Sequence, residues 1–244
     1  MLAEVFWFEG PDMCGKSTQI KNVEKRLTEK GYKVLTLKEP GGQIVGNEIR
    51  KLLLDIEVND IEPLDYMARR SLYFADHMQK LELIRLMRYK YDFILCDRYS
   101  PISDLTYGAL SEDDEHYKSV KLMAFSHFLE IERLSQLLRA DKDIIKHHLF
   151  KFKISKEDLA TRILLSKRSD VENIYDKKNL EFKERIRENC EELYAHNLYI
   201  RNDKTPLRKV FNFFSSTYDI CAEHGEEEIT DFIYQNITYK TGGK

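Results

Sequence analysis

The chain has 244 residues, 42% apolar and 33% charged, and its 39 basic and 42 acidic side chains give a net charge of −3. These values predict one sizeable α/β domain over residues 1–244, or one domain with a lid, and the near-neutral charge gives no reason to expect nucleic acid or a membrane as a partner. Four widely spaced cysteines form no C-x-x-C pair, and no apolar run approaches transmembrane length. We therefore expect free thiols and a cytoplasmic protein.

Short apolar runs alternate along the chain with segments of helical periodicity. The apolar runs predict five strands, at residues 4–9, 33–37, 93–96, 149–154 and 217–221. Ser155 and Asp158 form a capping-box pattern at the start of a helix. The other periodic segments predict helices at residues 16–30, 44–54, 64–89, 112–139, 180–197 and 226–236. This alternation predicts a five-stranded parallel sheet with helices on both faces, whose ligands lie at the carboxyl ends of the strands.

The segment after the first predicted strand matches the pattern G-x-x-x-x-G-K-S. Its glycines allow backbone N–H groups to turn inward as an anion-binding nest, and the N-terminus of the next helix adds its positive dipole end. The Lys16 ammonium is suited to the β- and γ-phosphates of a nucleotide, and the Ser17 hydroxyl to Mg²⁺. The pattern therefore predicts a nucleoside triphosphate site formed by Gly10, Pro11, Asp12, Met13, Cys14, Gly15, Lys16, Ser17 and Thr18.

Two further strand ends carry residues suited to phosphates. Asp97 follows the third predicted strand, where its carboxylate can hold Mg²⁺, directly or through water, or orient Arg98. Arg98 offers a planar fork that fits a phosphate, although a structural Asp–Arg pair accounts for these two residues equally well. After the second strand, the Pro40-Gly41-Gly42 turn allows a small ligand close to the backbone. Arg50 on the next helix either faces the same crevice or is a solvated charge.

Four segments of the chain resemble motifs of the thymidylate kinase family, which makes dTDP from dTMP and ATP. They read FEGPDMCGKSTQ, KEPGGQIVGNEIRKLLLD, SLYFADHMQ and CDRYSPISDLTYG, and they occur in the order found in that family. A weaker match from Leu159 to Arg187 resembles the family's lid, about residues 166–178, and the helix after it. The resemblance implies a single domain with a P-loop NTPase-type fold, ATP as donor, Mg²⁺ as cofactor, and a homodimer paired through helices that include the one at residues 64–89.

The resemblance also implies roles on the ATP side. Lys16 would be the main cationic clamp on the phosphates, while Ser17 and Asp97 would hold Mg²⁺. Eukaryotic members often carry a loop arginine where this chain has Met13. Members without it supply that charge from the lid. The lid candidates here are Lys167 and Arg168, with Arg162 a turn before.

On the dTMP side, the resemblance implies that Asp12 accepts a hydrogen bond from the deoxyribose 3′-hydroxyl. Arg98 would bind the 5′-phosphate, with Asp97 as its anchor. Tyr73 takes the place of the aromatic ring that stacks on thymine. Arg50 and Tyr107 complete the implied acceptor site. Since the nucleophile is a phosphate oxygen that is already anionic, such a reaction needs no strong general base.

The main departure from the family lies at His77, where the family has an arginine that donates to thymine. A neutral His77 retains one donor, and Arg69 or Arg70, about two turns earlier, offers a substitute. The element containing Tyr107 is shifted by one place relative to the family pattern. Base selectivity is therefore open at this point.

Three alternatives remain on the sequence alone. The chain could phosphorylate another deoxynucleoside monophosphate, or several. It could be a deoxynucleoside kinase that uses Glu39 as general base, or an ATP-binding regulatory protein without transfer activity. The sequence assigns no function to the additional residues near 111–148 and 198–216, and His147-His148 is interpreted as a surface histidine pair.

Overall fold

Five strands in the described part of the chain form one parallel sheet. The computed structural model describes residues 2–55, 61–108, 145–165, 180–199 and 214–240. The strands are β1 (Glu4–Glu9), β2 (Val34–Lys38), β3 (Phe93–Asp97), β4 (His147–Lys153) and β5 (Ser216–Cys221). The helices are α1 (Lys16–Glu29), α2 (Ile44–Leu54), α3 (Tyr66–Met87), α4 (Ser100–Gly108), α5 (Lys156–Leu165), α6 (Leu180–Tyr199) and α7 (Glu226–Lys240). The strand order is β2-β3-β1-β4-β5, so the fold is α/β, as expected.

The core lies on both faces of β1, which is the central strand. Its alternating side chains point to opposite faces of the sheet. Val5 and Trp7 pack with apolar residues of α3, α4 and α6, whereas Phe6 and Phe8 pack with those of α1 and α7. Each of these four side chains is completely buried, which stabilises the fold by roughly 2 kcal/mol per side chain. None of the described helices is both long enough and apolar enough to cross a bilayer.

The strand register brings three chain segments to one edge of the sheet. Phe8 of β1 pairs with Asp97 of β3, and the Arg98 N–H continues this ladder by donating to the Phe8 carbonyl at 3.0 Å. The Glu39 N–H donates to the Asp97 carbonyl at 2.9 Å. The segments that follow β1, β2 and β3 are therefore neighbours, at the edge where parallel sheets bind ligands.

Most predicted elements agree with the structure to within a few residues. The helix at residues 112–139 and the lid at residues 166–178 lie outside the described residues. Helix α4 was not expected, although Pro101 near its start is a helix N-terminal signal. Its short sequence is rich in serine, threonine, aspartate, proline and glycine, which have little intrinsic helical preference, and the helix is held by tertiary contacts, including burial of Ile102.

The interpretation of His147-His148 as a surface pair is wrong. Both residues lie on β4, and His148 is only 1% exposed. Its ring bridges the Ser216 hydroxyl at 2.6 Å and the Glu4 carboxylate at 3.1 Å. The Trp7 indole N–H donates to His147 at 3.1 Å. Histidine is buried here because both ring nitrogens of His148 have polar partners on neighbouring strands.

Candidate active site

The loop between β1 and α1 has the backbone geometry of a phosphate cradle. Gly10 and Gly15 have φ values of 154° and 93°, in the region that favours glycine. A Cβ on Gly10 would lie 2.7 Å from the Phe152 carbonyl oxygen, so no larger residue fits there. The Lys16 ammonium donates to the carbonyls of Gly10 at 2.8 Å and Pro11 at 2.7 Å. These bonds hold the cation within the loop.

Ser17 and Asp97, the predicted Mg²⁺ ligands, meet at the mouth of this loop. The Ser17 hydroxyl donates to Asp97 Oδ2 at 2.8 Å, across 80 residues of sequence. A hydroxyl and a carboxylate are hard oxygen ligands, which suit Mg²⁺. The described residues contain no cluster of three or more acidic, histidine or cysteine side chains able to hold a metal. Two protein ligands together with substrate phosphates form the usual Mg²⁺ arrangement in phosphotransferases, so the pair fits this ion.

Asp12, Arg98 and Tyr107 form a closed hydrogen-bonded triangle beside the loop. Arg98 Nη2 donates to Asp12 Oδ1 and to the Tyr107 hydroxyl, the latter at 2.9 Å. The Tyr107 hydroxyl donates in turn to Asp12 Oδ2 at 2.9 Å. Burial raises the pKa of Tyr107, so its hydroxyl remains a neutral donor. The structure thus brings together three of the predicted acceptor-site residues.

Arg98 is not anchored by Asp97, contrary to the expectation. The described contacts of Arg98 go to Asp12 and Tyr107, and to Glu9 at 3.5 Å, whereas the Asp97 carboxylate bonds to Ser17. Successive residues at a strand end point in opposite directions, and the left-handed backbone of Arg98 (φ 77°) marks the turn away from β3. The guanidinium therefore lies over β1 and its loop.

Glu9 is a site residue that sequence reasoning missed. Its completely buried carboxylate accepts from the backbone N–H groups of Gly10 at 2.9 Å and Tyr99 at 2.8 Å, and from the Ser103 hydroxyl at 2.9 Å. Burial raises the pKa of Glu9, an effect that the charges of Arg98 and Lys16 oppose. The available signal was a carboxylate at the end of a buried strand, directly before the phosphate loop.

His77 faces Glu39 in the interior. His77 Nδ1 lies 2.7 Å from Glu39 Oε1, and the Ser100 N–H donates to Glu39 Oε2 at 2.7 Å. Burial by itself would raise the pKa of Glu39, but the charge and hydrogen bond of His77 and the bonds of Ser100 outweigh burial and lower it. His77 Nε2 is buried without a hydrogen-bond partner among the described residues.

The other predicted acceptor residues contact helix α2 or lie on it. Arg50 Nη1 donates to the Pro40 carbonyl at 3.0 Å, so Arg50 contacts the Pro40-Gly41-Gly42 turn and is not simply a solvated charge. Arg69 Nη1 donates to the Leu53 carbonyl at 2.8 Å, which joins α3 to α2. Tyr73 is half-buried and packs against apolar residues of α2, which are Ile49, Leu53 and Leu54.

Arg162 of α5 contacts the phosphate loop directly. Its guanidinium donates to the Met13 carbonyl at 3.1 Å and to the Ala222 carbonyl. It therefore joins the loop to the segment after β5. Lys167 and Arg168, the predicted lid cations, lie outside the described residues.

A phosphate loop, a hydroxyl–carboxylate pair and an arginine network at the carboxyl edge of a parallel sheet define a P-loop nucleotide-binding protein of the α/β class. The family model described as Thymidylate kinase matches residues 8–213, so the chain belongs to the thymidylate kinase family.

Individual relatives agree with this assignment. A thymidylate kinase of Exiguobacterium sibiricum is 38% identical over 121 residues, which are 49% of this chain and 56% of that protein. A thymidylate kinase of Caldicellulosiruptor saccharolyticus is 42% identical over 104 residues, which are 42% of this chain and 48% of that protein. The chain thus spans about half the length of these relatives. The thymidylate kinase structure from Candida albicans has a TM-score of 0.62 at 17% identity, covering 100% of this chain and 94% of that one, and it has the same fold.

Proposed function

We propose that the protein transfers the γ-phosphoryl group of ATP to dTMP, forming ADP and dTDP for deoxynucleotide biosynthesis. The observation that carries the proposal is that two predicted groups meet at one loop. Ser17 and Asp97 lie at its mouth, and the triangle of Asp12, Arg98 and Tyr107 lies beside it. One set suits a nucleoside triphosphate with its cation, and the other suits a second phosphorylated nucleotide.

On the donor side, residues 10–18 bind the ATP phosphates through inward-facing N–H groups and the N-terminus of α1. Lys16 moves its hydrogen bonds from loop carbonyls to phosphate oxygens, where its charge offsets the charge that develops during transfer. Ser17 and Asp97 would hold Mg²⁺, which would supply charge neutralisation on the phosphates. Lys167 or Arg168, from the lid that the family resemblance implies at residues 166–178, would supply a further cation to the transferred group.

On the acceptor side, Arg98 binds the 5′-phosphate of dTMP, and Asp12 accepts from the 3′-hydroxyl. Tyr107 keeps both side chains in register, because it bonds to each of them. Arg50 lines the same crevice from α2, and Tyr73 supplies an aromatic face for the base. The nucleophile is an anionic phosphate oxygen, so positioning and charge neutralisation account for the chemistry.

The environment of Glu39 does not favour a deoxynucleoside kinase, because such an enzyme needs an accessible base to activate a neutral hydroxyl. Both Glu39 oxygens are occupied, by His77 and Ser100, and the residue is 2% exposed. Its lowered pKa makes it a weak base. The described surroundings of Glu39 are those of a structural carboxylate.

A coupled ADP-release assay with ATP and Mg²⁺ tests the proposal. The acceptors are dTMP, dUMP, dGMP, dCMP, AMP and thymidine. A clear preference for dTMP is expected. ATP binding without turnover of any acceptor would contradict the proposal and favour a regulatory protein.

A second candidate is a kinase for another deoxynucleoside monophosphate, or for several, and His77 is the observation that favours it. The side chain is 1% exposed, and its Nδ1 is hydrogen-bonded to Glu39. Only Nε2 therefore remains able to form a hydrogen bond with a nucleobase. Comparable kcat/KM values for several monophosphates in the same assay would support this candidate.

The pairing of Ser17 with Asp97 predicts a change in Mg²⁺ dependence. Replacing Asp97 with Asn keeps the shape of the side chain but removes its charge. The Mg²⁺ concentration for half-maximal activity is expected to rise by about tenfold or more. A Mg²⁺ titration at saturating ATP measures this, with Asp231→Asn on α7 as control, because Asp231 pairs with Arg26 at the surface. Equal Mg²⁺ requirements for Asp97→Asn and wild type would remove Asp97 from the metal site.

We further propose a cytoplasmic homodimer. The four cysteines are free, as in a reducing compartment. Large apolar side chains are exposed on α3, where the family resemblance implies pairing, and they are Met67 and Leu86. The neighbouring helix α2 also exposes Ile44, Val45 and Leu52. Sedimentation equilibrium tests the assembly, and a monomer at micromolar concentration would contradict it.

A further inference from the structure

Two opposite charges of α3 are buried behind the Pro40-Gly41-Gly42 turn. Asp76 and Lys80 have side chains that are each 1% exposed, with Oδ1 and Nζ 3.9 Å apart. Both reach the same glycine. The Gly41 N–H donates to Asp76 Oδ1 at 3.3 Å, and Lys80 Nζ donates to the Gly41 carbonyl. Residues four apart lie next to each other on one face of a helix. Asp76 and Lys80 are therefore spaced so that one reaches the N–H of Gly41 and the other reaches its carbonyl.

Helix α2 closes against this pair, which we name the Gly41 clamp (Asp76 and Lys80). A Cβ on Gly46 would lie 2.5 Å from Asp76 Oδ1 and 3.0 Å from the Gly41 carbonyl oxygen. The absence of a side chain at Gly46 is therefore what allows α2, α3 and the turn to meet. The Asp76 carboxylate on α3 thus lies against both α2 and the Gly41 turn.

Packing alone does not account for a buried ion pair at this place. Burying two charges costs more free energy than burying apolar side chains of similar size. Burial raises the pKa of Asp76 to about 6 despite the nearby Lys80, and Asp76 Oδ2 has no hydrogen-bond partner among the described residues. Apolar side chains could fill this volume, but they could not form hydrogen bonds with the N–H and the carbonyl of Gly41.

The turn that the clamp holds contacts Arg50, a residue of the proposed acceptor site. Arg50 Nη1 donates to the Pro40 carbonyl at 3.0 Å, and a Cβ on Gly41 would lie 2.9 Å from Arg50 Cδ. A displacement of the Gly41 peptide would therefore displace Arg50. We propose that Asp76 and Lys80 are positioning residues that fix this turn, and through it Arg50, for the acceptor nucleotide. This inference rests on the proposed kinase function.

The kinetic test uses Asp76→Asn and Lys80→Met. Each variant is expected to raise KM for dTMP by about tenfold or more, with kcat and KM for ATP changed by less than about threefold. Glu82→Gln is the matched control, because Glu82 is on the same helix and pairs with Arg85 at the surface. It is expected to leave all three constants unchanged. An unchanged KM for dTMP in both clamp variants would overturn the proposal.

The pH dependence separates positioning from general loss of structure. The charged groups that face Asp76 are Lys80, Glu39 and His77. As pH falls from about 7.5 to about 5.5, wild-type Asp76 takes up a proton and comes to resemble Asn, so the ratio of KM for dTMP between Asp76→Asn and wild type is expected to fall toward 1. The dTMP phosphate titrates in the same window, near pH 6, but it affects both proteins equally and cancels in the ratio. A ratio that does not change with pH would contradict the clamp.

A readout without substrates keeps the clamp distinct from the proposed function. Hydrogen exchange at the Gly41 amide is expected to be at least about tenfold faster in Asp76→Asn than in wild type. Gly46→Ala should have the same effect, although alanine favours helix formation, because its Cβ would displace Asp76. If wild type does not phosphorylate dTMP, the proposed function fails while the amide exchange still decides on the clamp. Equal protection of Gly41 in wild type and both variants would overturn it.

Discussion

Replacing Lys16 with Ala is expected to lower kcat by about a thousandfold or more, because it removes a preorganised charge from the transferred phosphoryl group. The fold should persist. The side chain bonds to carbonyls of its own loop and not to another element of the core, so the loss of stability is expected to be about 1 kcal/mol. Steady-state kinetics and thermal unfolding measure the two effects.

The matched control is Lys21→Ala, which removes an exposed lysine from the same helix. It is expected to change neither kcat nor the midpoint of thermal unfolding. Near-normal turnover by Lys16→Ala, with Lys21→Ala as reference, would contradict the assignment of residues 10–18 as the ATP site.

Replacing Arg98 with Met should impair both activity and stability. It removes the phosphate-binding fork, so kcat/KM for dTMP is expected to fall by about a hundredfold or more. It also leaves the buried Glu9 carboxylate without its nearest described cation, at 3.5 Å. Breaking a buried ion pair from one side typically costs about 3 kcal/mol, which chemical unfolding can measure.

The pH dependence of this destabilisation identifies its cause. The pKa of Glu9 is already raised above its ordinary value of 4.5 by burial, and loss of the Arg98 charge raises it further. Between that ordinary value and the raised one, the folded state binds more protons than the unfolded state, so stability increases as pH falls. The deficit of Arg98→Met relative to wild type is therefore expected to shrink as the pH is lowered from about 7 to about 5. A deficit that is constant with pH would exclude Glu9 as its source.

Arg26→Met is the control for this experiment. Arg26 also contacts two carboxylates, of Asp231 and Glu227, but those side chains are 55% and 75% exposed. Surface ion pairs contribute less than about 1 kcal/mol, so a small and pH-independent effect is expected. The comparison isolates burial, because both substitutions remove an arginine that has two acidic partners.

The surroundings of His77 and His148 could not be predicted from the residues next to them in the sequence. From the sequence, His147-His148 has the polarity of a surface pair, and His77 has the position of a base-contacting residue. The structure buries His148 between Glu4 and Ser216, and it directs His77 toward Glu39. In each case the decisive partner is at least 38 residues away in the sequence, and no periodicity within β4 or α3 contains that information.

The sequence by itself determined the α/β class, the approximate bounds of the strands and most helices, and the phosphate loop. These features are local, since a buried strand, an amphipathic helix and a glycine-rich loop each depend on residues that are adjacent in the chain. Tertiary structure alone decided that Glu9 supports the site, that Asp12 and not Asp97 holds Arg98, and that Asp76 and Lys80 grip Gly41. The physical reason is that the energy of a buried charge depends on which distant groups surround it, and chain folding brings those groups together.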